Sequence, residues 1–129
     1  MIRLRLNHGF TLLEVMIAMI ILALGILGLA LLITMSTYGN TFSNDNTTAN
    51  ALAQQEIESL VEMPSYGSMP FVSITDSVSG MYDIYRTVED NSTNASIPPG
   101  LVKIDVVVQW IDRQAQFRTV NLSTYKPVI

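Results

Sequence analysis

The chain has 129 residues, no cysteine, a single histidine at position 8 and a formal net charge of −4. It therefore has no disulfide, no thiolate metal site and no histidine in the body of the protein to serve as a base or metal ligand. The basic residues are thinly spread after position 80 and form no stripe, which argues against nucleic acid as a partner. With 49% hydrophobic residues, 14% charged residues and a mean hydropathy of +0.35, the chain is too apolar for an ordinary soluble domain. We expect one anchored domain that is not an enzyme and needs no cofactor.

The first apolar segment is long enough to cross a bilayer. Residues 15–33 read VMIAMIILALGILGLALLI, and no charged residue occurs between Glu14 and Asp45. As a helix this segment would be about 28 Å long, close to the ~30 Å thickness of a hydrocarbon core. Arg3 and Arg5 precede it, so the positive-inside rule places the N-terminus in the cytoplasm and the rest of the chain on the far side.

A cleavable secretory signal peptide is the first alternative, because it also has a basic start followed by an apolar run. Such a run is typically about 7 to 15 residues long and ends at a small-x-small site. Here the run is longer and follows a glutamate, and its nearest match to such a site, Ala23-Leu24-Gly25, lies in mid-run. The pattern therefore favours an anchor that is retained.

Residues 45–63 have the pattern of an amphipathic helix that ends before Pro64. The polar stretch between Ile33 and Asp45 has no strong helix breaker, so we expect one helix from about Phe10 to Met63. The positions expected on the apolar face are Ala49, Leu52, Ala53, Ile57, Leu60 and Val61, and those expected opposite are Gln54, Gln55, Glu58 and Glu62.

After residue 63 the pattern changes to that of β-strands. MPFVSIT and GMYDIYRTVE are short runs of this type, and LVKIDVVVQWID and QFRTVNLSTY are longer runs separated by a polar turn. One face of the first long run should pack on the helix: Val102, Ile104, Val106, Val108 and Trp110. The carboxylates of this part of the chain are spread along strands and loops: Asp83, Glu89, Asp90, Asp105 and Asp112. The alternative for those in DIYRTVEDN is a cation site, but the ligand spacing is absent, so we expect these carboxylates to be solvated. The fold class predicted is α+β, with a long N-terminal helix, half transmembrane and half amphipathic, packed against a small antiparallel β-sheet.

The basic leader that ends at Gly9, followed by FTLLEVMIAMIILALGILGLALL, resembles the type III signal sequence of type IV pilins and pseudopilins. The strong resemblance covers Met1 to about Tyr38, and VQWIDRQAQFRTVNLSTY is similar to the closing hairpin of PilV-type minor pilins. The resemblance to this family implies a pilin-like fold with a leader peptide at 1–9, a transmembrane and polymerisation helix at 10–33, and a periplasmic domain at 34–129.

The resemblance also implies roles for individual residues. Prepilin peptidase would cleave between Gly9 and Phe10 and methylate the new amino group of Phe10. Glu14 would pair with the N-terminal cation of a neighbouring subunit; the alternative is an interfacial glutamate that reaches toward lipid headgroups. Gly25 and Gly28 would either give the helix a flexible point or let neighbouring helices approach closely.

The function implied is that of a structural minor pilin of a type IV pilus. The chain has neither the cysteines of a C-terminal disulfide loop nor a proline before Pro64, both of which many major pilins have. The implied partners are other pilin subunits, prepilin peptidase, the inner-membrane assembly platform and the membrane itself. The alternatives are a minor pseudopilin of a type II secretion or competence system and, from a different class, a signal-anchored periplasmic protein that does not polymerise.

Overall fold

The computed structural model describes residues 10–78 and 80–128, except for the side chains at 76 and 77. A single helix is followed by four strands, α1 (Leu12–Glu62), β1 (Phe71–Val78), β2 (Tyr82–Asp90), β3 (Leu101–Ile111) and β4 (Phe117–Pro127). The strands form one antiparallel sheet in the order β1-β2-β3-β4. This arrangement confirms the predicted α+β class. The chain divides into two compact units, the first ending at Thr41 and the second running from Phe42 to Ile129.

The first unit contains the apolar part of α1. Its side chains from Phe10 to Thr37 are all exposed. By length and composition this helix is able to cross a membrane. A helix that is apolar all round is typically covered by lipid or by other protein, and the described part of the chain supplies no such cover.

The second unit is held together by the packing of α1 on one face of the sheet. Ala49, Ala53 and Leu60 are at most 1% exposed and belong to the same apolar cluster as the strand residues. The inner-facing residues of β3 are all buried, as the sequence predicts: Val102, Ile104, Val106, Val108 and Trp110. Tyr82, Ile84 and Val88 of β2 are buried in the same cluster.

One predicted core position is wrong, because Val61 is 37% exposed. At about 100° per residue, Val61 lies about 80° from Ala53 around the helix, whereas Glu56 lies about 60° away on the other side. Glu56 is therefore closer to the sheet, and its Oε2 accepts a hydrogen bond from Nε of Arg86 at 2.7 Å. Arg86 also donates from Nη1 to Oγ1 of Thr75 at 2.6 Å. The ion pair therefore links α1 to β2, and the hydrogen bond to Thr75 links the same arginine to β1.

Asp112 organises the turn between β3 and β4, a role that the sequence pattern does not predict. It is 6% exposed, and its Oδ1 accepts the backbone N–H groups of Gln114 and Gln116 at 2.8 and 2.9 Å. Its Oδ2 accepts a hydrogen bond from Nε of Arg118 at 2.9 Å. The guanidinium carbon of Arg118 lies 5.0 Å from the ring centroid of Phe42. The turn is therefore fixed internally and also attached to α1.

Overpacking tests the helix-sheet contact. Ala53→Leu should lower the free energy of unfolding by about 1–3 kcal/mol, because the added atoms must displace packed strand residues. Ala51→Leu, the same change at an exposed position of the same helix, should stay within about 0.5 kcal/mol. Urea unfolding of a fragment beginning at Thr34, followed by the fluorescence of Trp110, measures both. Equal midpoints for the two variants would contradict this packing.

Candidate functional site

The start of α1 places Glu14 in the first helical turn, where Thr11 acts as the N-cap. Oγ1 of Thr11 accepts a hydrogen bond from the backbone N–H of Glu14 at 3.3 Å, and the Thr11 carbonyl accepts one from the same N–H at 3.1 Å. The spacing Thr-x-x-Glu is that of a capping box, and a carboxylate in the first turn is stabilised by the helix dipole. The sequence TLLE contains the signal for this cap, in which the side chain of Thr11 accepts the hydrogen bond.

The side chain of Glu14 lines an apolar hollow of about 460 Å³ on one face of the helix. Its lining residues are Phe10, Glu14, Val15, Ala18, Met19 and Leu22. All of them are exposed, so the hollow opens away from α1. It presents one carboxylate within an apolar surface, which would suit an apolar helix that carries one cation.

The predicted cleavage junction adjoins this hollow. Phe10 is 82% exposed, whereas Gly9 lies outside the described residues. Cleavage after Gly9 and methylation of Phe10 therefore stay predictions.

Gly25 and Gly28 lie in the exposed apolar part of the helix. A Cβ atom built at either position meets no heavy atom within 4 Å, so no contact within the described part of the chain requires glycine there. The two interpretations from the sequence, a flexible point or close approach of a neighbouring helix, both remain open.

Three groups of the second unit have shifted pKa values, each with a local cause. Burial raises the pKa of Tyr82. Hydrogen bonding from Ser92 lowers the pKa of Asp90. Hydrogen bonding to Asp105 raises the pKa of Lys103, and these two form an ion pair at 2.8 Å. Across residues 10–78 and 80–128, no three histidine, aspartate or glutamate residues are grouped so as to hold a metal ion.

Residues 4–30 match a family model described as "Prokaryotic N-terminal methylation motif". The match spans about a fifth of the chain and includes the Gly9-Phe10 junction, Glu14 and most of the apolar segment. Searches of curated proteins and of solved structures gave no match. The family match supports the predicted resemblance to type IV pilins at the N-terminus. Together with the membrane-capable helix, it indicates a prepilin-like signal that anchors the chain in a membrane.

Substitutions at Gly28 test whether the glycine is needed within the chain. Gly28→Ala and Gly28→Leu should both leave membrane insertion and the fluorescence of Trp110 unchanged, because a side chain at Gly28 meets open space. Flotation with vesicles and emission spectra measure these two properties. Loss of membrane insertion or of the Trp110 signal in either variant would show that a single chain requires glycine at position 28, which would contradict this prediction.

Proposed function

We propose that this chain is a minor pilin, processed by prepilin peptidase and then incorporated into a type IV pilus or used to prime its assembly. The observation that carries the proposal is the match of residues 4–30 to the N-terminal methylation motif. Proteins with this type of signal have structural rather than catalytic roles. The PilV-like pattern of the last two strands and the lack of cysteine favour a minor pilin over a major one.

The proposed topology is a single pass through the inner membrane, with the N-terminus in the cytoplasm and the second unit in the periplasm. Cleavage after Gly9 removes Arg3, Arg5 and His8 and creates a new amino group at Phe10. Within a bundle of such helices, Glu14 of one subunit lies beside the N-terminal cation of its neighbour. Each charge then has a partner in a place where an unpaired charge is strongly unfavourable. Other pilin subunits and the inner-membrane assembly platform are the partners that follow.

A minor pseudopilin would share the same anchor, cleavage and charge pairing. Deletion of the gene separates the two functions: loss of surface pili with secretion intact supports the pilin, and loss of secretion or DNA uptake with pili intact supports the pseudopilin. A signal-anchored protein that does not polymerise would change neither phenotype and would be missing from every filament fraction.

The mature protein should begin at Phe10. In a host that has prepilin peptidase, intact mass and N-terminal sequencing should show loss of MIRLRLNHG and the addition of one methyl group. Gly9→Leu should block processing, because the bulkier side chain occupies the cleavage junction. Retention of the leader in the parent protein, or cleavage beyond Ala23, would contradict the pilin proposal.

Variants of Glu14 separate charge pairing from helix capping. Glu14→Ala removes both, whereas Glu14→Gln keeps a side chain suited to the capping box and removes only the charge. If the carboxylate pairs with the amine of a neighbour, both variants should be cleaved and folded yet depleted from sheared filaments about tenfold or more, because the amine loses its partner in a water-poor site. Glu14→Asp should do little better, because its side chain is shorter.

The control for this experiment is Thr11→Ala, which weakens the cap but keeps the carboxylate. It should enter filaments like the parent. The measurement is the ratio of each variant in filament and membrane fractions. Parental incorporation of Glu14→Gln would show that capping, and not charge, explains the glutamate.

A further inference from the structure

Three large apolar side chains are exposed together at one end of the sheet. They are Met81 in the turn between β1 and β2, Ile111 at the end of β3, and Phe117 at the start of β4, which is 79% exposed. Ile111 and Phe117 are cross-strand partners, and all three line a hollow of about 280 Å³. Their strand neighbours Trp110 and Arg118 lie on the opposite face, toward α1.

An exposed cation lies in the turn between β3 and β4, beside these apolar side chains. Arg113 is exposed between β3 and β4, and within the described residues no acidic side chain forms an ion pair with it. The other basic side chains of the second unit are all engaged: Arg86 with Glu56, Lys103 with Asp105, Arg118 with Asp112, and Lys126 with the carbonyl of Met63. We name Met81, Ile111, Arg113 and Phe117 the hairpin end.

The hairpin end is where the chain enters the second unit from the apolar segment. The hydroxyl of Tyr82 donates to the carbonyl of Asp45 at 3.3 Å, and Arg118 lies over Phe42. Phe42 follows Ile33, the last residue of the apolar segment, by nine positions. Nine residues span about 14 Å as a helix and at most about 30 Å when extended. This end of the sheet is therefore tethered close to the bilayer, whereas the loop at 91–100 lies a strand length away.

We propose that the hairpin end rests on the surface of the bilayer that anchors the chain. Phe117, Ile111 and Met81 lie at the boundary between headgroups and acyl chains, and Arg113 contacts anionic lipid headgroups. The occupant is lipid because the short tether holds this end near the membrane whatever angle the second unit adopts. The inference uses the anchored state of the proposed function but depends neither on cleavage nor on filament assembly.

Charge makes this contact selective for one end. From Phe42 to Ile129 there are 10 acidic and 5 basic residues, so this unit has a formal charge of 5 − 10 = −5, and an anionic bilayer repels most of its surface. The carboxylate of Asp83, which an anionic bilayer repels, also lines the hollow. The attraction of the hairpin end to the bilayer therefore depends on Arg113 together with the apolar side chains. Such a contact limits the orientations of the second unit before a neighbouring subunit reaches it.

The test uses the full-length chain in vesicles of three parts phosphatidylethanolamine to one part phosphatidylglycerol. Because the chain has no cysteine, one spin label can be placed through Gln114→Cys in the turn or through Ala95→Cys in the loop at the far end. Both positions are exposed. Collisional relaxation by oxygen, which concentrates in lipid, and by a water-soluble nickel chelate reports the surroundings of each label. The oxygen-to-nickel ratio should be several-fold higher at position 114 than at position 95.

Second substitutions then identify the side chains responsible. Phe117→Thr should lower the ratio at position 114 to the value at position 95, whereas Val72→Thr, the matched change at another exposed strand position, should leave it unchanged. Arg113→Gln should lower the ratio of hairpin ends in contact with the bilayer to those free of it about fivefold in these vesicles, as expected for one basic residue near an anionic surface. The same variant should have little effect in vesicles of phosphatidylcholine alone.

Two results would overturn the proposal. One is an equal ratio at positions 114 and 95 in chains that float with the vesicles, which leaves the anchor intact and rejects only the contact. The other is a high ratio at position 114 that Phe117→Thr does not change, since another surface would then account for it. Chains that fail to float would instead contradict the membrane anchoring on which the proposed function depends. Emission from the buried Trp110 confirms that each variant is folded.

Discussion

The second unit depends on the cover that α1 gives to the inner face of the sheet. Ile84, Val88 and the inward residues of β3 are fully buried or nearly so, and a sheet of this size has too little core to hide them alone. The Arg86–Glu56 pair adds specificity, because a sliding or turning helix would leave a half-buried charge without its partner. The part of α1 that follows Phe42 and the sheet therefore fold as one body.

The same helix has a very different chemistry before Phe42. Its apolar side chains are exposed, so within the described residues no other part of the chain covers them. Between the two chemistries the sequence is rich in threonine, serine and asparagine, which are poor helix formers. Several of their hydroxyls donate to the carbonyl four residues earlier, as Thr34 does to Ala30 and Thr37 to Ile33. These local bonds satisfy the hydroxyl donors within the helix itself.

Most of the fold follows from the periodicity of apolar residues. The interactions that the sequence does not predict involve side chains whose partners are distant along the chain, or whose angle around the helix differs from the one expected. Alternation along β2 places Arg86 on the inner face, and the helix angle places Glu56 nearer the sheet than Val61. Taken together, these two positions indicate the Arg86–Glu56 ion pair. Considered separately, each residue has the pattern of an exposed surface charge. Asp112 was missed for another reason: its role depends on a turn geometry that brings two backbone N–H groups to one carboxylate oxygen. The cleavage junction and Glu14 were predicted from a sequence motif. Their proposed chemistry involves a second molecule, so the fold of a single chain does not indicate it.

The place of Glu14 in the cap of α1 and its proposed role in assembly are compatible, because they concern different groups. The cap uses the backbone N–H of Glu14, which donates to Thr11, and leaves the side chain available to other partners. In the anchored chain that charge lies at the edge of the apolar segment, where headgroups and water can solvate it. In the proposed filament, neighbouring helices would replace the headgroups, and the same charge would be unfavourable unless a cation lay beside it. The free energy of the carboxylate would then depend on assembly itself. In the proposed filament, this dependence favours the register that brings Glu14 to the amino group released by cleavage and disfavours every other register.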